Sequence, residues 1–128
     1  MDRRLIFSGS PFEPAIGFSR AVRVGPHVAV SGTAPIAAGG GTACPGDLYG
    51  QTKRCLEIIE KALNEAGAKR EHVVRTRMFV KDMVNWEQAG RAHGEFFRDI
   101  RPAATMIQIV QAVDPTWLIE IEADAIVM

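Results

Sequence analysis

The sequence predicts an α+β domain in which one mixed sheet carries two helices on one face. Two segments repeat apolar residues at helical spacing, and the segments around them alternate apolar and polar residues as strands do. Strands precede the first helical segment, one strand lies between the two, and two strands follow the second, an order typical of helices layered on one sheet. Because 128 residues suffice for one core, we expect a single domain over residues 1–128.

The first third of the chain predicts three strands and a loop. Residues 3–8 form the first predicted strand, and the segments 21–24 and 27–33 form a hairpin around the turn pair Gly25-Pro26. Residues 36–47, which contain a run of glycines and a proline, are predicted to be a flexible loop.

The first helix is predicted over residues 47–66. Its apolar residues recur at helical spacing and define one buried face: Leu48, Cys55, Leu56, Ile59, Ala62, Leu63 and Ala66. Gly67 stands where a left-handed C-terminal cap is expected.

The second helix is predicted to begin after Asn85, which can cap it with Gln88 three residues later, and to end near Asp99. Its inward residues are expected to be Ala89, Ala92, Phe96 and Phe97. The remaining strands are predicted over residues 72–80, 105–110 and 116–128.

Alternation places charge on the sheet face that the helices do not cover. We expect the following residues of the strand at 72–80 to face the helices: Val74, Thr76, Met78 and Val80. The opposite face then holds arginines on this strand, carboxylates on the last strand and some apolar residues: Val73, Arg75, Arg77, Phe79, Leu118, Glu120, Glu122, Asp124 and Ile126. This pattern fits either a solvated face with cross-strand ion pairs or a subunit interface.

Composition argues against several classes of protein. Fifteen basic residues balance fifteen acidic ones, which disfavours binding to nucleic acid. Cys44 and Cys55 form no CxxC pair and have no metal-ligand spacing with the histidines, so we expect no structural metal. No signal peptide or membrane-spanning segment is visible, and we expect a cytoplasmic protein with no membrane partner.

Several separated segments resemble the RidA family, also called the YjgF family. They are GFSRAVRVGPHVAVSGTAPI, the helix start GDLYGQT, HGEFF, RPAAT and IEIEADAIV, in the family's order from residue 17 to residue 127. The resemblance implies a chorismate-mutase-like α+β fold and a barrel-like homotrimer with small-molecule clefts between subunits. The charged sheet face would then be buried in the trimer.

The resemblance also implies an activity. Well-known members hydrolyse reactive enamines and imines, such as 2-aminoacrylate and 2-iminopropionate, to keto acids and ammonia without a cofactor. An arginine in their cleft binds the substrate carboxylate through two parallel hydrogen bonds. Water attacks the imine carbon with help from a backbone carbonyl and a glutamate.

In this chain the position of the family arginine holds Ala104, which indicates an arginine-lacking branch with little activity on 2-iminopropionate. Arg101 lies three residues earlier, before a proline, and does not match that position. Phe18 falls at a family tyrosine, and Gly90 at a position that often holds asparagine.

Other cleft positions are retained: Ser31, Gly32, Thr105 in place of a serine, and Glu120.

Three candidates keep alternative interpretations. Glu120 is either the catalytic carboxylate of the cleft or an ion-pair partner of Arg75 or Arg77. Arg77 either replaces the missing anchor in substrate binding or forms a structural salt bridge. His93 has a pKa range suited to proton transfer in the cleft, although a lone helical histidine is more often peripheral.

Three functions remain open. The first is a deaminase-like hydrolase of an enamine, an imine or a related C–N bond. The second is non-catalytic binding of a small metabolite in the same clefts. The third, least favoured by the neutral charge, is the endoribonuclease or translation-inhibitor activity often attached to the family.

Overall fold

The computed structural model describes residues 2–128 and confirms the predicted α+β fold. Its six strands are β1 (Arg3–Ile6), β2 (Ala21–Val24), β3 (His27–Thr33), β4 (Val73–Val80), β5 (Ala103–Gln108) and β6 (Ile119–Ile126). They form one sheet in the order β1-β2-β3-β6-β4-β5. All neighbouring strands are antiparallel except β4 and β5, which are parallel.

Three α-helices complete the fold: α1 (Phe12–Ile16), α2 (Leu48–Glu65) and α3 (Trp86–Phe97). Two short 3-10 helices, Arg70–His72 and Met83–Asn85, lie on either side of β4. The two long helices pack on one face of the sheet, where apolar residues of strands and helices form the core. Among residues 2–128, no helix is both long and apolar enough to cross a membrane.

Helix α2 begins and ends as its sequence predicts. The side chain of Asp47 accepts a hydrogen bond from the Gly50 N–H at 3.0 Å, which satisfies a free donor of the first turn. Gly67 has a φ of +80°, the left-handed conformation expected after the helix. Arg4 and Arg23 then donate to the carbonyl groups of the last turn, so β1 and β2 are tied to the end of α2.

Helix α3 begins after Asn85 as predicted, but the predicted side-chain cap is wrong. The Asn85 side chain caps no backbone N–H group. It donates instead to the Asp82 carboxylate at 2.7 Å, because Met83–Asn85 is already helical and Asp82 caps that shorter turn. Helix α3 ends at Phe97, two residues before the expected end at Asp99.

Strand β4 departs from strict alternation at its first residues. The register with β6 shifts between Val73 and Arg75, which marks a bulge. As a result, Val73 is 3% exposed and lies in the core, whereas Val74 is 44% exposed. The predictions that Val74 faces the helices and that Val73 lies on the opposite face are therefore wrong, while Thr76, Met78 and Val80 are buried as expected.

Helix α1 was not predicted. Its single turn closes where the N–H groups of Gly17 and Phe18 both donate to the Glu13 carbonyl at 2.9 Å. Gly17 adopts a φ of +88°, which glycine reaches without a steric penalty. A proline within the turn, Pro14, hides the helix from a periodicity argument, although proline is tolerated in a first turn.

Candidate functional site

Glu120 packs directly against Gly32 where β3 meets β6. The register between these strands shifts between Val30 and Thr33, and Gly32 lies within the shift. A Cβ atom at Gly32 would lie 3.5 Å from Oε1 of Glu120, so the carboxylate rests on the glycine backbone. The sequence thus places a carboxylate against a residue with no side chain of its own.

Ser31 organises the strand beside this carboxylate. Its Oγ donates to the Ser19 carbonyl at 2.6 Å, and its N–H donates to the Arg20 carbonyl at 3.0 Å. The hydroxyl therefore ties β3 to the residue pair that precedes β2. Among the described residues, no histidine forms a hydrogen bond with it. Ser31 therefore serves as a hydrogen-bond donor to the backbone and not as a nucleophile.

Arg20 is a second charged group at this place. It is only 8% exposed, and its Nη2 donates to the Gly32 carbonyl at 3.0 Å. Its guanidinium carbon lies 5.4 Å from the centre of the Phe18 ring. Burial lowers the pKa of Arg20, while the nearby carboxylates of Glu13 and Glu120 act in the opposite direction.

Glu13, on α1, is 2% exposed and accepts hydrogen bonds from the backbone N–H and the hydroxyl of Ser8. Sequence reasoning missed both Glu13 and Arg20. For Arg20 a signal was available, because the register of the predicted hairpin around Gly25-Pro26 sets it opposite Ser31, just before β2.

Glu120 itself is half-buried and has no hydrogen-bond or ion-pair partner among residues 2–128. Burial raises the pKa of this carboxyl above its ordinary value; the positive charge of Arg20 opposes the rise, and Glu122 adds to it. The alternative of an ion pair between Glu120 and Arg75 or Arg77 does not occur within this chain. Arg77 instead approaches Asp124 at 3.3 Å and Glu122 at 3.5 Å.

Ala104 and Thr105 lie on β5, at the edge of the sheet. Thr105 pairs with Arg77, which in turn pairs with Glu122, so Thr105 is two strands away from β6. Two strand spacings amount to about 10 Å. Ala104 pairs with Thr76 and therefore points to the helix side of the sheet, opposite to Glu120.

His93 belongs to the Ala104 side. Its Nε2 lies 2.8 Å from the Thr76 Oγ1, and its ring centre lies 4.6 Å from that of Phe97. Burial lowers the pKa of His93 below its ordinary value, which favours the neutral ring. His93 and Glu120 are therefore not brought together within one chain.

The predicted cleft residues thus form two groups. The Glu120 group consists of Phe18, Ser31, Gly32 and Glu120, joined by Arg20 and Glu13. The Ala104 group consists of His93, Ala104 and Thr105 at the β5 edge, with Gly90 one turn before His93 on α3. Arg77 lies between the two groups and forms ion pairs with two carboxylates of β6.

The two cysteines differ in their surroundings. Cys44 is exposed in the loop before α2. Cys55 is buried in the core, where burial strongly raises the pKa of its thiol; the charge of Glu120 adds to the rise and that of Arg20 opposes it. Within residues 2–128, no three His, Cys, Asp or Glu side chains are arranged to hold a metal ion.

Comparison with known proteins gives one consistent family. The sequence model of the family described as Endoribonuclease L-PSP matches residues 8–127. A RutC family protein of Pyrococcus abyssi is 33% identical, over 98% of both chains. The 3-aminoacrylate deaminase RutC of Acinetobacter baylyi is 29% identical, again over 98% of both chains.

Among solved structures, Rv2704 of Mycobacterium tuberculosis, described as a member of the YjgF/YER057c/UK114 family, superposes with a TM-score of 0.90. It is 43% identical, and the match covers 98% of this chain and 100% of the other.

Proposed function

Since the chain belongs to the endoribonuclease L-PSP family, which includes the YjgF and RutC proteins, we propose that it is a cofactor-free hydrolase of imines, enamines or related C–N compounds. The observation that carries the proposal is the Glu120 carboxylate, half-buried on Gly32 and without a partner in the described chain. The Acinetobacter relative supports it, because 3-aminoacrylate is an enamine whose deamination is a hydrolysis.

Glu120 has the properties of a general base for this reaction. A carboxylate whose pKa is raised by burial is a stronger proton acceptor than an exposed one, and its position leaves the oxygens available to a water molecule. Water attacks the carbon of the C=N bond, Glu120 takes a proton from the water, and that proton then passes to the departing nitrogen.

The site is proposed to be completed by a second copy of the chain. The Glu120 and Ala104 groups are two strands apart, and Ala104 and His93 lie on the side of the sheet opposite to Glu120, so one chain presents two half-sites. Joining the Glu120 half of one copy to the Ala104 half of the next gives a closed assembly with a cleft at each junction. The family resemblance favours three copies, and β5 is an edge strand with free backbone groups.

The test combines mass and turnover. Light scattering at micromolar chain concentration is expected to give the mass of three chains of 14.0 kDa. Imines generated in situ by oxidation of amines or amino acids are expected to decay faster with the protein. Glu120→Gln should reduce that acceleration about a hundredfold or more, the usual range for a lost general base.

Glu122→Gln is the matched control, because it removes a carboxylate from the same strand and face but not the one resting on Gly32. A monomer, or equal loss in both variants, would contradict the proposal.

Non-catalytic binding in the same cleft is the second candidate, favoured by Ala104, Phe18 and Gly90 standing where family members carry arginine, tyrosine and asparagine. Thermal stabilisation by a small ligand without turnover of any imine would select it. Cleavage of RNA that persists through repeated purification would instead support the ribonuclease activity.

A further inference from the structure

The charge of the Glu120 half-site is not balanced within the chain. Two charged side chains lie at Gly32, namely Arg20 and Glu120, and a third, Glu13, acts on Arg20, so two carboxylates stand against one guanidinium. Whether the negative or the positive charge faces the cleft depends on which of these side chains already have hydrogen-bond or ion-pair partners.

Arg20 is turned inward. Its side chain is 8% exposed and donates to the Gly32 carbonyl. Its Nε is buried without a partner in the described chain, so this N–H is not offered to a ligand at the surface. Arg20 therefore holds the Gly32 backbone, and its positive charge stabilises the nearby carboxylates. It is poorly placed to bind a substrate anion.

Glu120 is turned outward by comparison. It remains about half-buried and makes no ion pair among residues 2–128. The group that this half-site presents is consequently a carboxylate. At the other half-site Ala104 offers no charge, and the nearby Arg77 is already held by Asp124 and Glu122.

From this arrangement we propose that the cleft takes imines and enamines whose nitrogen is protonated and whose reacting carbon bears no carboxylate. This inference rests on the proposed function and specifies its substrate class. A protonated C=NH₂⁺ group donates N–H bonds to Glu120, which is the charge-assisted contact that the site offers. A neighbouring carboxylate would meet the like charge of Glu120, and the cation beside Glu120, Arg20, is buried with its Nη2 on the Gly32 carbonyl.

The reaction balances without a further reactant. An iminium R₂C=NH₂⁺ and water give the carbonyl compound R₂C=O and ammonium. The water oxygen forms the new bond to carbon, the C–N bond breaks, and both water protons finish on nitrogen. Such substrates arise where amines, rather than amino acids, are oxidised to imines.

Binding can be measured with two planar probes of nearly equal shape and opposite charge, acetamidinium and acetate. The wild-type protein is expected to bind acetamidinium, with shifts of backbone NMR signals around Gly32, and not acetate. Glu120→Gln should weaken acetamidinium binding about tenfold or more, the cost of one charge-assisted hydrogen bond. Glu122→Gln should change it by less than about twofold.

Three results would overturn the inference: preference for acetate, binding of neither probe, or equal weakening in the two glutamine variants. Acetate binding that disappears in Arg101→Ala would identify Arg101 as a carboxylate anchor supplied from the loop before β5.

A turnover experiment separates this inference from the proposed function. The imines formed by oxidation of ethylamine and of alanine differ only by a carboxylate on the reacting carbon. The protein should accelerate decay of the ethylamine-derived imine more than decay of the alanine-derived one. Faster decay of the alanine imine would refute the substrate class and leave the hydrolase intact. Acetamidinium binding through Glu120 with decay of neither imine would refute the hydrolase and leave the ligand class intact.

Discussion

Around Glu120 the charged groups are packed inside the chain, whereas around Ala104 the side chains are small and exposed at a sheet edge. Glu13 and Arg20 are almost fully buried, and Arg20 holds the Gly32 backbone on which Glu120 rests. Ala104 and Thr105 are exposed and belong to a strand with one free side. One chain therefore fixes the geometry of its carboxylate, while the opposing wall of the cleft depends on assembly.

The difference bears on how such a site changes during evolution. A substitution in the Glu120 half disturbs buried charges and the fold together, but a substitution at Ala104 alters an exposed position with little effect on packing. Substrate preference is thus most easily changed from the β5 edge, where the resemblance predicts that Ala104 takes the place of the family arginine.

Replacing Arg20 is expected to give the largest effect on stability. Arg20→Met should lower the free energy of unfolding by about 2–4 kcal/mol, because the Gly32 carbonyl loses its donor and two carboxylates lose the nearby cation. Arg77→Met is the matched control: its ion pairs are partly exposed, so about 0–1 kcal/mol is expected. Urea unfolding at one fixed chain concentration measures both. Equal losses in the two variants would show that the buried Arg20 contributes no more to stability than the partly exposed Arg77.

An arginine introduced at the β5 edge is expected to give a smaller effect, which is measured as a change in hydrolase activity. Ala104→Arg is expected to accelerate decay of 2-iminopropionate about tenfold or more over a weak wild-type rate, through a bidentate contact with the carboxylate. Recovery is expected to be partial, because the resemblance predicts that Phe18 and Gly90 also depart from the family.

Ala103→Arg supplies the control, since it adds the same charge at the neighbouring residue, which pairs with Arg75 and faces the other way. A similar gain from both variants would mean that general attraction of the anion, and not an anchor at residue 104, is responsible. Efficient wild-type turnover would show that a cation elsewhere, Arg77 first among them, binds the carboxylate.

The fold was largely predictable because it depends on periodicity. The core face of α2, the hairpin at Gly25 and the sidedness of β6 all follow from repeats of 3.6 or 2 residues. The errors lie where local geometry interrupts the repeat: the bulge that buries Val73, and the turn at Asp82 that takes the capping role from Asn85.

The site was predictable only in part. Motif similarity named Glu120, Ser31 and Gly32 as candidates, but the burial of Arg20 and Glu13 depends on tertiary packing, which no pattern in the sequence reports. The same limit applies to His93. Its helix position was clear, yet the sheet face that it approaches became evident only from its bond to Thr76.

The smallest expected effect concerns pH and the burial of Glu120. Burial raises the pKa of this carboxyl above its ordinary value, so the folded chain holds the proton more tightly than the unfolded chain does. The contribution of Glu120 to stability is then fully present below its unfolded pKa and is lost as pH rises through the folded pKa. Glu120→Gln does not titrate, so its stability relative to wild type should increase across that window and then level off.

Thermal unfolding of both proteins from about pH 4 to about pH 8, at fixed chain concentration, measures this difference. Glu122→Gln again serves for comparison, because it keeps the carboxylate that rests on Gly32. A relative stability of Glu120→Gln that falls with rising pH would mean that the folded protein favours the charged carboxylate. In that case the charge of Arg20 would outweigh burial, and Glu120 would be a weaker base than its surroundings suggest.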